Sequence, residues 1–356
     1  MGARRQRCLV VLGRAPAAGM FDDIAAGRSP RQDFLEIAAA TDARIVSADD
    51  VAWLPWRAAR RLAKPAAAVA AFLRRSGAAA MYATGEDIGL PLAVLLRLVC
   101  WRGRLVVVVH ACRGRSRKLF ARLGHRPFHR LVCVSQAQVD TLLEIGFPAA
   151  KLLLQPAFAD TAFFAPEPGS AGDMIFACGM ESRDYDTLIA ACGHLPQRLV
   201  ILASGMMAAD SAGVEARAAA LGARVTVLQR IPFAAVRALY AEAALVVVPL
   251  HPAGYGAGVN GIVEAMAMGR AVIATNSPGI AEYLDPAGIV GVAPYDPQAL
   301  AEAIGALLAQ PQRLAAMGAH NRAVVEARYP IEHYVQAMVE LLAGPSEQAG
   351  HPAPDA

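Results

Sequence analysis

The hydrophobic positions of this chain fall into short apolar runs that alternate with longer stretches rich in alanine and leucine. The short runs are apolar at successive positions, which is typical of strands buried on both faces. Such strands, separated by helices, predict parallel sheets covered by helices on each side. The predicted strands are Cys8–Leu12, Arg44–Val46, Ala80–Ala83, Leu105–Val109, Leu131–Val134, Met174–Cys178, Leu199–Leu202, Arg224–Leu228, Leu245–Pro249, Ala271–Ala274 and Gly288–Val292.

A segment rich in proline and glycine between Gln155 and Asp173 divides these strands into two series. Two series, in a chain of 356 residues, predict two doubly wound domains, since a domain typically takes about 150 residues. We expect an N-terminal domain over residues 1–165 and a C-terminal domain over residues 166–342. The tail 343–356 lacks apolar periodicity and is expected to be disordered.

Composition narrows the class of protein. Hydrophobic residues make up 56% of the chain and charged residues 18%, which excludes a disordered chain. No apolar run approaches the roughly 18–20 residues of a membrane-spanning helix. The six cysteines form no CxxC pair, which favours reduced thiols and a cytoplasmic protein over a disulfide or zinc framework.

Charge is distributed unevenly between the two halves. Residues 1–165 contain 24 Lys and Arg and 12 Asp and Glu, whereas residues 166–356 contain 10 Lys and Arg and 18 Asp and Glu. The basic half suggests an anionic partner, either an anionic lipid or a phosphorylated substrate, although solvated arginines on helix faces are an equally open explanation. No nucleic-acid-binding motif is present, so nucleic acid is not an expected partner.

The most informative segment lies between Leu245 and Leu284, where a buried strand leads into a glycine-rich loop and then a helix. We expect that helix to span Ile262 to Met268 and to end at Gly269. Glycines let backbone N–H groups approach a phosphate, and the start of a helix favours an anion. The loop glycines are Gly254, Gly256, Gly258 and Gly261.

Two polar residues flank the predicted start of this helix. Asn260 is placed to cap it, and Glu264 is expected in its first turn. A carboxylate there can accept hydrogen bonds from both hydroxyls of a ribose, as acidic residues do in dinucleotide sites. The alternative, that Glu264 only complements the helix dipole, is equally open from spacing alone.

The segment GVNGIVEAMAMGRAVIATNSPGIAEYL, residues 258–284, resembles the signature of retaining glycosyltransferases of family four. The family's E-A-M-A-x-G motif matches Glu264–Gly269, and its G-x-x-E turn matches Gly279–Glu282. Upstream, residues 178–185 resemble the family's loop of glycine and basic residues after a strand. The matches to the family's interdomain segment are Val134–Ser135, Gln155–Pro156 and Asp160–Phe164.

The resemblance implies the GT-B fold, with two doubly wound Rossmann-like domains facing each other across a cleft. It also implies that the second domain holds a nucleoside-diphosphate sugar. By their matches, Glu264 would bind the donor ribose and Arg183 the diphosphate, although a surface arginine at a helix start is the alternative for Arg183. The other residues matching the donor site are Gly179, the loop Gly258, Val259, Asn260 and Gly261 at the diphosphate and sugar, and Arg230 and Ile231 beside the nucleobase.

His110 follows the predicted strand Leu105–Val109. The family often has a histidine there, facing the donor sugar, and a hydrogen bond to a sugar hydroxyl would be its role. A structural histidine is the alternative. Together with Arg183 and Glu264, His110 completes the set of residues that we expect to be catalytic.

Two positions depart from the family pattern. Gly256 stands where the family has an earlier glutamate facing the sugar, and Met180 stands where a basic residue is expected after Gly179. The missing carboxylate puts catalysis or sugar preference in question. One phosphate-binding cation is either missing or supplied from elsewhere, with Arg113 or Arg115 as candidates.

We therefore expect a retaining, hexosyltransferase-like enzyme of cell-envelope polysaccharide, glycolipid or related glycoconjugate synthesis. Its partner is a nucleotide sugar as co-substrate, with no other cofactor and no metal. The alternative is a non-catalytic nucleotide-sugar-binding relative that acts as a partner subunit, which the departures at Gly256 and Met180 favour.

Two basic segments raise the hypothesis of a lipid-linked or anionic acceptor and of peripheral contact with the inner face of the membrane. They are Arg113–Arg130, and Arg57–Lys64 just after Trp53 and Trp56. An amphipathic, solvated helix explains the same pattern.

Overall fold

A computed structural model describes residues 7–54, 62–167, 169, 172–193, 195–203, 212–219 and 222–344. The chain divides into two compact units. The first unit combines residues 1–18, 32–155 and 332–356, and the second combines residues 19–31 and 156–331. This division differs from the expected 1–165 and 166–342 in three segments. Residues 19–31 and 156–165 belong to the second unit, and residues 332–342, which form most of the C-terminal helix, belong to the first.

The first unit is built on a six-stranded parallel sheet with strand order β2-β1-β3-β4-β5-β6. Its strands are β1 Arg7–Val11, β2 Arg44–Val46, β3 Ala78–Ala83, β4 Arg104–Val109, β5 Arg130–Cys133 and β6 Leu152–Leu154. β4 illustrates why these residues form strands, since its run of valines is β-branched and buried on both faces. The helices that connect the strands of this unit are α2 Asp33–Ala40, α3 Ala63–Leu73, α4 Glu86–Leu98, α5 Gly114–Leu123 and α6 Gln136–Glu144.

The C-terminal helix α13, Ile331–Ala343, packs almost entirely within the first unit. The hydroxyl of Tyr334 lies 3.1 Å from that of the buried Tyr82. The Arg104 guanidinium donates to the carbonyl oxygen of Leu342 at 2.6 Å, near the end of the helix. These bonds explain why a helix at the far end of the chain completes the N-terminal unit.

The second unit contains a six-stranded parallel sheet with strand order β12-β11-β10-β7-β8-β9. The chain winds outward from β7 to one edge, then returns to β10 and winds to the other, as in a doubly wound Rossmann sheet. Its strands are β7 Met174–Cys178, β8 Leu199–Leu202, β9 Val225–Leu228, β10 Ala243–Val248, β11 Ala271–Thr275 and β12 Ile289–Val292. The helices are α1 Met20–Ala25, α7 Tyr185–Cys192, α8 Ala212–Ala219, α9 Phe233–Glu242, α10 Val259–Ala267, α11 Pro297–Leu308 and α12 Pro311–Arg328.

An ion pair ties residues 19–31 to the second unit. The backbone N–H and the guanidinium of Arg31 each donate to the Asp160 carboxylate at 2.8 Å. Asp160 is buried, and these bonds hold its pKa below the ordinary value against the opposing effect of desolvation. A charge buried in this way is stable only when paired, so Arg31 fixes where the segment docks.

The predicted α/β class and the two Rossmann-like sheets are confirmed, with each predicted strand present within two residues at either end. The strand β6 was missed because its apolar run is only three residues long and directly precedes the proline- and glycine-rich segment. Most of the basic run Arg57–Lys64 and of the tail 343–356 lies outside the described residues. In the described part of the chain, no helix is long and apolar enough to cross a bilayer.

Candidate functional site

The candidate site lies where the winding of the second sheet reverses, between the neighbouring strands β7 and β10. Ligands of open parallel sheets bind beyond the carboxyl ends of the strands at such a reversal. β7 ends at Cys178 and runs into Gly179, while β10 ends at Val248 and runs into the glycine-rich loop before α10. The loops after the two strands therefore meet at one place.

The loop after β7 is pinned to the loop after β10 by two backbone hydrogen bonds. The N–H of Asp184 donates to the Pro249 carbonyl at 3.1 Å, and the N–H of His251 donates to the Ser182 carbonyl at 2.9 Å. The side chain of Asp184 then caps α7 by accepting the N–H of Thr187 at 3.1 Å. This arrangement places Arg183 at the junction of the loops.

Arg183 folds over Gly179 rather than extending into solvent. Its guanidinium donates to the carbonyl oxygens of Cys178 at 2.9 Å and Glu181 at 2.7 Å. Gly179 has φ of +100°, and a Cβ there would lie 2.4 Å from the guanidinium. The positive φ favours glycine at this position, and the absence of a side chain leaves room for the arginine to fold over it. Gly179 and Arg183 therefore lie in contact at the end of β7.

The helix α10 begins at Val259, so the expected start at Ile262 was wrong. Gly258 precedes it with φ of +92°, and a Cβ there would meet the Val248 side chain at 2.9 Å. This left-handed glycine, pressed on the end of β10, sets where the helix starts. The predicted end at Met268 is one residue too far, since the helix ends at Ala267 with Met268 as its C-cap, and Gly269 follows with φ of +61° as expected of the residue that terminates a helix.

The earlier start changes the roles of two residues. Asn260 lies inside the first turn and makes no side-chain cap, so its expected capping role was wrong. The backbone N–H groups of Asn260 and Gly261 belong to the first turn of α10, where no carbonyl precedes them within the helix. Unpaired first-turn N–H groups and the positive end of the helix dipole favour an anion, so the predicted phosphate site at this loop stays a prediction.

Glu264 lies in the second turn of α10, not in the first, so complementing the helix dipole does not explain it. Its carboxylate accepts a hydrogen bond of 2.9 Å from the hydroxyl of Tyr240. Desolvation raises the pKa of Glu264 to about 7, and the Tyr240 bond and the Arg183 charge oppose that rise. A half-buried carboxyl with so perturbed a pKa is typical of a functional site.

The ionisation of Glu264 should appear in the pH dependence of stability. With a pKa of about 7 in the folded chain against an ordinary 4.5, the folded state binds the extra proton between these values. The contribution of Glu264 to the free energy of unfolding therefore falls as pH rises from about 4.5 to about 7. Glu264→Gln cannot titrate, so urea unfolding should show wild type losing stability relative to the variant across this range. If the difference in the free energy of unfolding between wild type and variant stays constant over this pH range, the raised pKa of Glu264 is contradicted.

Tyr255, which sequence reasoning missed, lies within the glycine-rich loop. Its buried hydroxyl donates to the Glu181 carboxylate at 2.7 Å and lies 2.6 Å from the hydroxyl of Ser182. Gly279 packs so closely that a Cβ there would lie 1.9 Å from the Tyr255 carbonyl oxygen. The signal in the sequence was an aromatic residue between two glycines, and only the fold shows that it fastens the two loops together.

The two departures from the family pattern have a local explanation at one position only. Met180 is half-buried and packs against the hydrophobic core of the second unit, so this position supplies packing in place of a cation. Gly256 contributes its carbonyl oxygen, which accepts the N–H of Val259 at 3.4 Å. Nothing in the structure explains the lack of a carboxylate at this position.

Arg230 and Ile231 follow β9, the edge strand that β8 separates from β7. Arg230 is exposed, with φ of +50°, and Ile231 is half-buried. Strands lie about 4.8 Å apart, so the end of β9 is roughly 10 Å from that of β7. The structure thus gathers Gly179, Arg183, residues 258–261 and Glu264 at the reversal, and places Arg230 and Ile231 farther along the same edge of the sheet.

His110 follows β4 in the first unit, and its side chain is exposed. Its Nε2 lies 2.7 Å from the carbonyl oxygen of Thr84. Its backbone N–H donates to the Glu86 carboxylate at 2.8 Å, and the N–H of Ala111 donates to the other oxygen at 3.0 Å. A carbonyl can only accept, so Nε2 carries the proton and Nδ1 of neutral His110 is an acceptor. Arg113 and Arg115 lie nearby in this unit, both exposed.

Solved structures of known proteins share this fold. Sucrose-phosphate synthase of Thermosynechococcus elongatus superposes with a TM-score of 0.73 at 19% identity, over 93% of this chain and 96% of that one. HepE of Anabaena, in complex with UDP and glucose, superposes with a TM-score of 0.73 at 16% identity, over 96% of this chain and 100% of that one. A glycosyltransferase of Rickettsia africae superposes with a TM-score of 0.67 at 13% identity, over 95% of this chain and 98% of that one.

At these identities the structures show the fold, and it is the GT-B fold predicted from the sequence. Sequence comparison with curated proteins finds no match. Residues 172–310 match the family described as glycosyl transferases group 1. That segment contains each of the donor-site residues predicted in the second unit, and over these residues the chain is similar to the group 1 glycosyltransferases.

Proposed function

We propose that this chain is a retaining glycosyltransferase, which moves a sugar from a nucleoside-diphosphate sugar to an acceptor hydroxyl in envelope polysaccharide, glycolipid or related glycoconjugate synthesis. The observation that carries the proposal is the meeting of three groups at the reversal of the second sheet. They are the Arg183 guanidinium, the first-turn N–H groups of α10 and the Glu264 carboxyl. Two of them suit a diphosphate, and the third suits a ribose diol.

The proposed chemistry uses these groups to stabilise the leaving diphosphate. The bond from the sugar's anomeric carbon to the diphosphate breaks, and the acceptor oxygen bonds to that carbon on the same face. The acceptor proton passes to the departing phosphate oxygen, so no enzymatic base is required. Arg183 and the N–H groups of Asn260 and Gly261 face the charge that develops, which is where fixed donors accelerate a reaction most.

His110 has a narrower proposed role. With the proton on Nε2 held by the Thr84 carbonyl, Nδ1 is an acceptor for a hydrogen bond from a sugar hydroxyl. It would orient the sugar rather than transfer a proton. Independence from metal ions is likewise a proposal, and unchanged transfer in excess EDTA would support it.

Uridine nucleotides are the first donors to test, since HepE is described in complexes with UDP and with UDP-glucose. A thermal-shift screen with UDP, GDP, ADP and the corresponding nucleotide sugars identifies the nucleotide, because a ligand that binds the folded state raises the temperature at the midpoint of unfolding. Donor hydrolysis or transfer by the pure protein then separates an enzyme from a non-catalytic partner subunit. Absence of any nucleotide effect would contradict the proposal.

Contact with an anionic membrane or a lipid-linked acceptor is proposed for the first unit. Arg115, Lys118 and Arg122 are exposed on α5 at helical spacing, while Phe120 is buried on its other side. The three side chains therefore form one basic face, and each contributes about 1 kcal/mol near an anionic surface.

Replacing these three residues by alanine should lower the affinity for vesicles of phosphatidylglycerol and phosphatidylcholine by about 100-fold. Liposome flotation at low and high salt measures this. The matched control replaces three exposed basic residues of the second unit, Arg198, Arg217 and Arg313, with the same loss of charge. Binding that is insensitive to salt, or equal losses in both triple variants, would contradict a membrane face on α5.

A further inference from the structure

The hydroxyl of Tyr240 joins two groups of the candidate site. It lies 2.9 Å from one carboxylate oxygen of Glu264 and 3.0 Å from the sulfur of Cys178. The carbonyl oxygen of Gly261 is farther away, at 3.5 Å. Tyr240 is on α9, fully buried, and 24 residues from Glu264 in sequence. A chain of polar contacts thus runs from the end of β7 through α9 to α10.

Packing fixes the direction of the Tyr240 ring. Phe176 meets it edge-on with centroids 4.9 Å apart, and Phe164 does so at 6.0 Å. Edge-to-face contacts of this kind are favourable and orient both rings. The hydroxyl therefore has a set position from which only nearby acceptors can be reached.

The direction of the hydrogen bonds follows from which groups hold protons. Burial raises the pKa of the Cys178 thiol to about 11 and that of the Tyr240 hydroxyl well above its ordinary value, so both are protonated near neutrality. The thiol donates to the tyrosine oxygen, and the tyrosine donates to Glu264. When Glu264 is ionised, above its pKa of about 7, the charged acceptor makes this last bond the strongest of the chain.

Among the residues that the structure describes, Arg183, in the loop after β7, is the charged group that acts on Glu264. On α12, Arg322 donates to the Ala267 carbonyl at 2.6 Å, at the opposite end of α10. Of the two Glu264 oxygens, Oε2 is bonded to Tyr240, while Oε1 has no hydrogen-bond partner within the described ranges of the chain.

We propose that Tyr240 is a positioning residue, whose hydroxyl holds Oε2 of Glu264 so that the carboxylate presents its other oxygen to the ribose hydroxyls of the donor. The proposal rests on the proposed function of this site and extends it. Without the bond, the carboxylate rotates freely and must be ordered by the ligand itself. Preorganisation of this kind increases affinity without any contact between the tyrosine and the ligand.

The test compares Tyr240→Phe with wild type by calorimetric titration of UDP and 2′-deoxy-UDP, or the guanosine or adenosine pair if the screen selects one. The variant should bind the ribonucleotide about 5- to 10-fold more weakly, and its preference for ribose over deoxyribose should shrink by the same factor. A purely structural defect would weaken both ligands equally and would overturn the proposal. The proposal would also be overturned if the variant kept the wild-type preference for ribose over deoxyribose.

The pH profile is a second, independent measurement. Loss of the Tyr240 bond removes one of the two contributions that lower the Glu264 pKa, so the pH at which binding reaches half of its maximum should rise in the variant. In a Glu264→Gln background, Tyr240→Phe should change neither the affinity nor the pH profile. The positioning role would be overturned if the pH of half-maximal binding did not shift in Tyr240→Phe. It would also be overturned if Tyr240→Phe weakened binding as much in the Glu264→Gln background as in wild type.

Tyr283→Phe is the matched control. Tyr283 is also buried in the second unit, and its hydroxyl accepts the N–H of Ala157 at 2.9 Å. This substitution removes the same atom from a different network and should leave the preference for ribose unchanged. If wild type binds no nucleoside diphosphate at all, the proposed function itself fails. If wild type binds and Tyr240→Phe behaves like Tyr283→Phe, only the positioning role fails.

Discussion

Replacing Glu264 by alanine is expected to lower donor affinity by about 100-fold or more while the protein remains folded. A carboxylate that accepts hydrogen bonds from both ribose hydroxyls loses two bonds on truncation, each contributing about 1.5–3 kcal/mol. The fold should survive because the carboxylate is half-buried and its ionised form is disfavoured by desolvation, as the pKa of about 7 indicates. Calorimetric titration with the nucleotide selected by the thermal-shift screen measures the affinity.

Glu302→Gln provides the control for this experiment. Glu302 is exposed on α11, where its carboxylate accepts a hydrogen bond from Gln298. The variant loses one negative charge from the same unit and should bind the donor like wild type. Undiminished turnover by Glu264→Ala, with circular dichroism showing an intact fold, would exclude Glu264 from the donor site.

Replacing Arg183 by alanine is expected to reduce kcat/KM by about 100-fold, the second large effect. Its guanidinium lies 3.9 Å from where a Cβ on Gly261 would stand, beside the first turn of α10, and its charge acts on Glu264. It would neutralise the diphosphate in the ground state and at departure. The loss should be seen for a nucleoside diphosphate and not for the nucleoside, which carries no phosphate. Comparing the two ligands by titration makes that distinction.

Arg183 also donates hydrogen bonds to the carbonyl oxygens of Cys178 and Glu181. Its removal therefore loosens the loop as well as removing the positive charge. Arg183→Lys keeps the charge and should recover part of the affinity for phosphate, whereas a purely architectural role would give equal losses in both variants. Arg217→Ala is the control, because Arg217 is an exposed arginine on α8 that pairs with Asp186. It should leave kcat/KM unchanged.

The sequence predicted the elements that depend on local pattern. Strands such as β4 and β10 are continuous runs of apolar and β-branched residues, so they could be located from the chain alone. The glycines at positions 179, 258 and 269 marked turns, and each has a positive φ. Backbone conformations open mainly to glycine leave a signal that needs no knowledge of the tertiary structure.

Predictions that relied on a side chain's preference at a helix start were less successful. Asn260 is a good N-cap residue, yet α10 begins before it, because Gly258 packs against Val248 of β10. A contact between two elements thus outweighed a propensity of about 1 kcal/mol. The same contact moved Glu264 from the first turn to the second and so excluded complementation of the dipole as its role.

By itself, the sequence determined the α/β class, the two series of parallel strands and the glycine-rich loop, and its resemblance to a known family made Arg183 and Glu264 the predicted site residues. Only the tertiary structure decided which unit holds the C-terminal helix, and which tyrosines support the site. Tyr240 reaches Glu264 across 24 residues, and Tyr255 reaches Glu181 across 74. Periodicity and turn propensity act over a few neighbouring residues, whereas these hydrogen bonds depend on how strands and helices from distant parts of the chain pack together.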